Sequence, residues 1–458
     1  MNAKIKLQPT LLASVVTMAI LVMGTAAHAQ LPSNQFTAEE LKVLRDFNAL
    51  SDKDRIKASD TQLKKMVRFA IENSPLVREA KLNIIAANED INAAKGSRYP
   101  QITGTGQSRV SGGDIPLEGR ATGRLSYNVA AQMPLYDWGK IDALIEGKSS
   151  ARDATVARFR LQGQALAIEA TKTCLEYNKQ RALLTITDEY IANVDKILGM
   201  LGKIAKADAG RASELIQTKS RVLQAKSSQD AVRSKIQETK FKLERILGKD
   251  NVASCHGIAA SFIVDPDIET IRKNIKRHPQ IEALEAERQF QKKSLDQVSA
   301  SRKPLVQLSS SYGSLYPGVA AGEGYNVSLL VTAPIFDGDI LRSNERAAVE
   351  RVNASDERLE EATRQVDSQY REKYESANSG IKRAQDFTAL LEVNDRVRKD
   401  FFLQWSSLGR RSLFELLSIE QEQYSLQSNY IVTLFDSMSG YAEIMGNAGI
   451  IYGNSDSK

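Results

Sequence analysis

The sequence predicts a mainly helical chain with a small β part, built as two copies of one unit. Three observations predict it. Landmarks recur in the same order at a nearly constant spacing. Alternating segments sit at the same place in each copy. Very long stretches carry a helical seam with no proline to interrupt them.

The repeat is read from four pairs of segments. Asn73-Ser74-Pro75-Leu76-Val77 matches Arg277-His278-Pro279-Gln280-Ile281, and Arg98-Tyr99-Pro100-Gln101-Ile102 matches Arg302-Lys303-Pro304-Leu305-Val306. Both proline pairs stand 204 residues apart. Met133-Pro134-Leu135-Tyr136-Asp137-Trp138-Gly139 then matches Ala333-Pro334-Ile335-Phe336-Asp337-Gly338-Asp339, 200 residues on. Gly210-Arg211-Ala212-Ser213-Glu214-Leu215 resembles Gly409-Arg410-Arg411-Ser412-Leu413-Phe414-Glu415-Leu416, with the second copy longer before its Glu.

Taken in order, residues 1–29 have the form of a secretory signal. Lys4 and Lys6 give the basic start, Leu11 to Gly24 the apolar core, and Ala27-His28-Ala29 the cleavage site. Residues 30–59 are a polar N-terminal extension of unknown role, with a short amphipathic piece from Glu39 to Leu50. The first repeat covers 60–249 and the second 267–450, joined by a linker at 250–266 and followed by a tail at 451–458.

Each repeat opens with a helical approach (about 60–97 and 267–301) that a proline stops. Two alternating segments follow, at 101–110 and 121–135 in copy one and at 304–316 and 325–336 in copy two. In the first copy Tyr127, Val129, Ala131 and Met133 share one face, and Asn128, Ala130 and Gln132 the other. In the second, Tyr325, Val327, Leu329 and Val331 oppose Asn326, Ser328, Leu330 and Thr332. Period two with one apolar and one polar face predicts strands. Their length is near the roughly 9–11 residues that cross a bilayer as a tilted strand. The intervening loops, Ser111 to Gly119 and Pro317 to Gly324, are rich in Gly and Pro.

The helices that follow are long. Leu183, Ile186, Tyr190, Val194, Ile197, Leu201 and Ile204 step by three and four, and Leu417, Tyr424, Ile431, Met438 and Met445 recur every seven. A helix of about 65 residues spans ~100 Å, beyond an ordinary globular core. Breaks near 205–213 and 405–413 fold each copy into a helical hairpin.

Composition limits the function. The charge of +6 falls to +4 without Lys4 and Lys6, and mixed-sign helix faces carry it, so nucleic-acid binding is not expected. Past residue 29 no apolar run reaches the roughly 20 residues of a membrane helix. Four membrane strands cannot close a barrel, since the smallest have about 8. Open strand edges are not tolerated in lipid, so several copies must pool their strands: two give 8, three 12, four 16.

No constellation indicates an enzyme. His28, His256 and His278 lack ligand spacing, Gly104-Thr105-Gly106 lacks the third glycine of a dinucleotide loop, and no nucleophile elbow or P-loop is present. No cofactor or metal is expected. Cys174 and Cys255 lie about 35 residues before and 45 after the first break, so they stand at similar height, and a disulfide between them is a hypothesis.

The repeat, the strand pairs and the segment Leu408-Gly409-Arg410-Arg411-Ser412-Leu413-Phe414-Glu415-Leu416-Leu417 resemble the TolC family of outer membrane efflux and type I secretion proteins, over about residues 60–450. The resemblance implies a homotrimer, with a 12-stranded barrel in outer-membrane lipid on a periplasmic tunnel of helices. It implies docking to a periplasmic adaptor protein that couples to an inner-membrane transporter, and opening by untwisting of helices at the periplasmic tip. By the same resemblance Arg411 is the latch arginine and Glu415 a ring carboxylate. A second acidic position falls on Ser418, which weakens that ring. Ser213 and Glu214 match the tip partners, giving an expected Arg411–Glu214 contact, and Gly210, Arg211, Gly409 and Arg410 fall in the adaptor-docking turns. A periplasmic coiled-coil adaptor or structural protein is the competing interpretation. It leaves the symmetric alternating segments unexplained.

Overall fold

Pro75, Pro100, Pro279 and Pro304 set the punctuation, because the residue before a proline is driven out of the α region. A computed structural model describes residues 53–109, 124–255, 257–262, 278–314 and 323–451. The signal-like segment, the piece from Glu39 to Leu50, the two Gly/Pro-rich loops and His256 lie outside them.

The approach in the first copy is two helices, not one. α1 (Lys53–Asn73) begins within the segment expected as an extension, and α2 (Pro75–Gly96) follows a break at Ser74, which is extended at ψ 124°. Strands β1 (Gln101–Arg109) and β2 (Arg124–Tyr136) lead into α3 (Lys140–Ala207), a helix of 68 residues. A 3-10 turn (Ala209–Arg211) and α4 (Ala212–Leu247) complete the first hairpin. Two 3-10 turns (Lys249–Cys255 and Ile258–Phe262) form the described part of the linker. The second copy repeats the plan with α5 (Pro279–Ala300), β3 (Leu305–Ser314), β4 (Glu323–Thr332), α6 (Ile340–Leu403, 64 residues) and α7 (Leu413–Asn447). At 1.5 Å per residue, α3 and α6 each run about 100 Å.

The four strands make one antiparallel sheet in the order β1-β2-β3-β4. The register Ala131↔Ser310 and Val129↔Tyr312 joins the two repeats. It also gathers apolar residues on one face: Met133, Leu308 and Leu329 form one row, and Val129, Tyr312 and Tyr325 another. One face of the sheet is therefore apolar. It is also open, with Tyr325 81% and Val327 63% exposed. The strand expected over 325–336 stops at Thr332, because β3 begins opposite that residue and Ala333–Phe336 have no ladder partner among the described residues. β2 continues to Tyr136, which still pairs with Val306.

The match between Asp137 and Asp337 holds at atomic level. Each carboxylate accepts two backbone N–H groups at the start of its long helix. Asp137 takes Gly139 and Ile141 at 3.1 and 2.7 Å, and Asp337 takes Asp339 and Leu341 at 3.1 and 2.8 Å. The turn forces Trp138, Gly139, Gly338 and Asp339 to positive φ. Replacing Asp137 or Asp337 by Ala should cost about 1 kcal/mol each, as for a lost helix cap, and asparagine should recover part of it. Thermal unfolding of the single and double variants measures this, and additive losses are expected at such separated sites.

The helices pack side by side. α4 lies on α3, α3 on α7 and α7 on α6, while α5 bridges α3 and α6 and α2 lies on α3. The seam residues Ile186, Tyr190, Val194, Ile197 and Leu201 are buried. Ile204, expected with them, is 39% exposed, because the seam ends where the hairpin turns. A mid-height core gathers Leu63, Met66 and Val67 of α1 with Phe262, Tyr430 and Phe435. Within it Cys174 and Cys255 form a disulfide, Cα–Cα 5.2 Å, with both residues fully buried.

Candidate functional site

The two hairpin turns are built differently, although their sequences are related. In the first, Asp208 accepts the Gly210 N–H at 3.0 Å and holds the 3-10 turn. Gly210 is not left-handed there, unlike Gly409 at φ 60°. The second turn is longer. α6 ends in a π turn (Gln404–Leu408), Gly409 reverses the chain, and the Arg410 N–H donates to Gln404 O at 3.2 Å. The extra residues of the second copy come after Gly409, where Arg410–Ser412 lead into α7.

Arg411 is fixed from three sides. It donates to Glu415 Oε1 at 2.8 Å and to Gln404 Oε1 at 3.1 Å, and its guanidinium lies 4.3 Å from the Phe401 ring centre. Glu415 completes a capping box. Its Oε2 accepts the N–H and hydroxyl of Ser412 at 2.9 and 3.0 Å, and its own N–H donates to Ser412 Oγ. The Ser412 N–H, the Arg411 guanidinium and the Ser412 hydroxyl hold the Glu415 carboxyl below its usual value. The stability this box contributes is present above the ordinary carboxylate pKa and is lost as pH falls through the lowered folded value.

The expected Arg411–Glu214 contact does not form within the chain. Arg411 is taken up by its neighbour four residues on, and Glu214 faces Arg211 at 3.6 Å. Glu415 is thus a paired carboxylate. Ser213, Ser418, Gly210, Gly409 and Arg410 are exposed at the turns. Leu413, Leu416 and Leu417 anchor the second turn in a separate core with Val194, Leu201, Val222 and Trp405.

Between this tip core and the mid-height core lies a polar layer. Glu420 is 4% exposed, accepts from Arg398 at 3.2 Å and accepts from Asn193 of α3 at 3.3 Å. Tyr190 donates to Gln421 at 2.7 Å and stacks on Tyr424 at 4.8 Å, and Asn394 donates to Gln423 at 2.7 Å. A cavity of about 370 Å³ opens here. Sequence reasoning missed Glu420 and Arg398. The signal was present: Glu420 occupies the seam step between Leu417 and Tyr424, where an apolar residue is expected.

Comparison with known proteins bears on this geometry. The family model for "Outer membrane efflux protein" matches residues 67–249 and 270–397. The chain belongs to the outer membrane efflux protein family. By its description this is a family of outer membrane proteins that act in efflux. OprJ of Pseudomonas aeruginosa is 24% identical over 299 residues, and the match spans 62% of this chain and 62% of OprJ's length. The outer membrane protein VceC of Vibrio cholerae shares the fold at TM-score 0.72 and 15% identity, covering 85% of this chain and 96% of VceC. The CmeC outer membrane channel of Campylobacter jejuni does so at TM-score 0.74 and 12% identity, covering 86% and 87%. The open apolar sheet face has the outward apolar band expected of a strand set that meets lipid.

Proposed function

We propose that three copies of this outer membrane efflux protein form the exit duct of a tripartite efflux pump or type I secretion system. Substrate passes from the periplasmic tunnel to the exterior. The observation that carries the proposal is the sheet. Among the described residues its two outer strands, β1 and β4, each leave an edge unpaired. Lipid does not tolerate such edges, so β4 of one copy pairs with β1 of the next. Three four-stranded sheets then close a 12-stranded barrel.

The repeat supplies the register of that junction. β2 corresponds to β4, and β3 to β1, by the aligned prolines. The observed pair Gln132↔Ser309 therefore maps onto Thr332 of one copy and Thr105 of the next. A Thr332→Cys, Thr105→Cys double variant should give covalent trimers on oxidation. The two positions lie on opposite edges of one sheet, so a bond that remains within single chains would contradict the pairing.

The tips serve as the gate. Arg411 with Glu415 and Gln404 latches the second turn, and the turns of Gly210, Arg211, Gly409 and Arg410 receive the periplasmic adaptor, which couples to an inner-membrane transporter. Untwisting of the helices at this end opens the duct. Arg411→Ala removes the three contacts of the latch at once and should raise the resting single-channel conductance several-fold. Arg411→Lys keeps the charge without the fork geometry and should fall between. Unchanged conductance in both would remove Arg411 from the gate. A deletion strain separates the cargo classes. Drug or detergent hypersensitivity indicates small molecules, and loss of a secreted protein or adhesin indicates type I secretion.

A further inference from the structure

The two repeats differ where their strands give way to the long helices. Trp138 stands between β2 and α3 at φ 60°, and Gly338 stands at the matching place between β4 and α6 at φ 66°. Glycine takes such a backbone at no steric cost, whereas a bulky side chain takes it only under strain. The first copy therefore carries a tryptophan at a position whose backbone favours glycine. Strain held at one residue points to a use for its side chain.

The ring is fixed and yet open. Trp138 Nε1 donates to the Pro304 carbonyl at 2.7 Å, the Tyr136 ring meets it edge-on at 4.9 Å, and the Lys303 ammonium lies 5.2 Å from its centre. Trp138 is still 44% exposed. Lys303 is exposed as well, and among the described residues no carboxylate lies within ion-pair distance of it. The acids nearest in sequence are engaged elsewhere. Asp137 accepts the Gly139 and Ile141 N–H groups, and Glu345 pairs with Arg302. At the matching junction Gly338 and Tyr99 stand in place of Trp138 and Lys303, so the cluster occurs once per chain.

The cluster sits at the edge of the apolar sheet face. Tyr136, Val306 and Val331 form the last row of that face before the helices, and Tyr312 and Tyr325 form a row six residues up their strands. In a membrane barrel the outward apolar band runs between aromatic girdles at the two interfaces. Tryptophan and tyrosine settle at headgroup level there, and a lysine stem lies along apolar surface while its charge stays in the polar layer.

We infer that Trp138, Tyr136 and Lys303 form a binding site for an anionic phospholipid of the periplasmic leaflet. The phosphate lies at the Lys303 ammonium, and an acyl chain runs up the face along Val306 and Leu308. The inference rests on the proposed duct, which sets this face in lipid. The adjoining apolar rows select a lipid over free phosphate, and the uncompensated lysine favours an anionic headgroup over a zwitterionic one.

The chain carries its own probe. Trp138 and Trp405 are its two tryptophans, and Trp405 is buried in the tip core, ~100 Å along α6. Full-length protein is reconstituted into vesicles of phosphatidylglycerol and phosphatidylcholine in equal amounts, with bromine on the acyl chains of one lipid at a time. Brominated phosphatidylglycerol should quench Trp138 several-fold more efficiently than brominated phosphatidylcholine. Lys303→Gln should remove the preference, and Lys303→Arg should retain most of it. Trp138→Phe should leave only the unquenched Trp405 emission. Equal quenching by the two lipids in the wild type overturns the choice of headgroup, and a preference that survives Lys303→Gln overturns its assignment to this lysine. No quenching by either lipid in vesicles that hold the protein as a trimer overturns the site while leaving the duct intact. Protein that fails to float with the vesicles removes the reading beneath it.

Discussion

Replacing Cys174 and Cys255 together by serine should destabilise the chain by about 4 kcal/mol, the value chain-entropy arguments give for a closed loop of this size. The bond spans a sequence separation of 81 residues and ties the middle of α3 to the linker between the repeats. It lies under α1, where Met66 and Ala70 are buried, in the mid-height core. Around it, Asn178 donates to the Cys255 carbonyl at 2.7 Å, Ser261 donates through its hydroxyl to Ser59 at 2.7 Å, and Gln62 donates to the Ser254 carbonyl at 3.1 Å. Loss of the covalent tie should release the linker and α1 before the long helices. Limited proteolysis should then cut first within the linker, and the denaturant midpoint should fall. Reductant alone should leave the folded wild type intact, because neither sulfur is exposed. Identical unfolding curves for wild type and variant would show that packing of α1 suffices to hold the belt.

Glu420→Ala should cost about 3 kcal/mol, the lower end of the effect of removing one partner from a buried ion pair. The carboxylate is 4% exposed and links Arg398 of its own hairpin to Asn193 of the other. Without it Arg398 keeps, among the described residues, Asp395 at 2.8 Å. Asn193 loses its contact across the hairpins. Double replacement, Arg398→Met with Glu420→Leu, should regain most of the stability, since an apolar pair of similar volume carries no desolvation cost. The heat needed to dissociate the assembled protein on gels reads both variants. If Glu420→Ala matches wild type, the polar layer does not join the hairpins.

Much of the fold was legible because it is repeated. Pro75 against Pro279 and Asp137 against Asp337 mark equivalent turns, and period-two patterning placed the strands to within a few residues. What escaped was local competition. Ser74 before Pro75 divides the first approach helix, and a missing ladder partner ends β4 at Thr332. At the tip, residue types identified the participants but not their pairing. Arg411 had two carboxylates within plausible reach, and the capping box of Ser412 placed Glu415, not Glu214, beside it. Glu420 stood out only as a charged residue in the seam step between Leu417 and Tyr424; its partner Arg398 is distant in sequence and meets it across the second hairpin.

The central claim is that each chain supplies four strands to one shared barrel. Native mass spectrometry of protein extracted from outer membranes in mild detergent tests it most directly. The account predicts a complex of three chains, with no folded monomer at equilibrium, because β1 and β4 cannot be left unpaired in lipid. A stable folded monomer, or an assembly whose copies are not three, would contradict it.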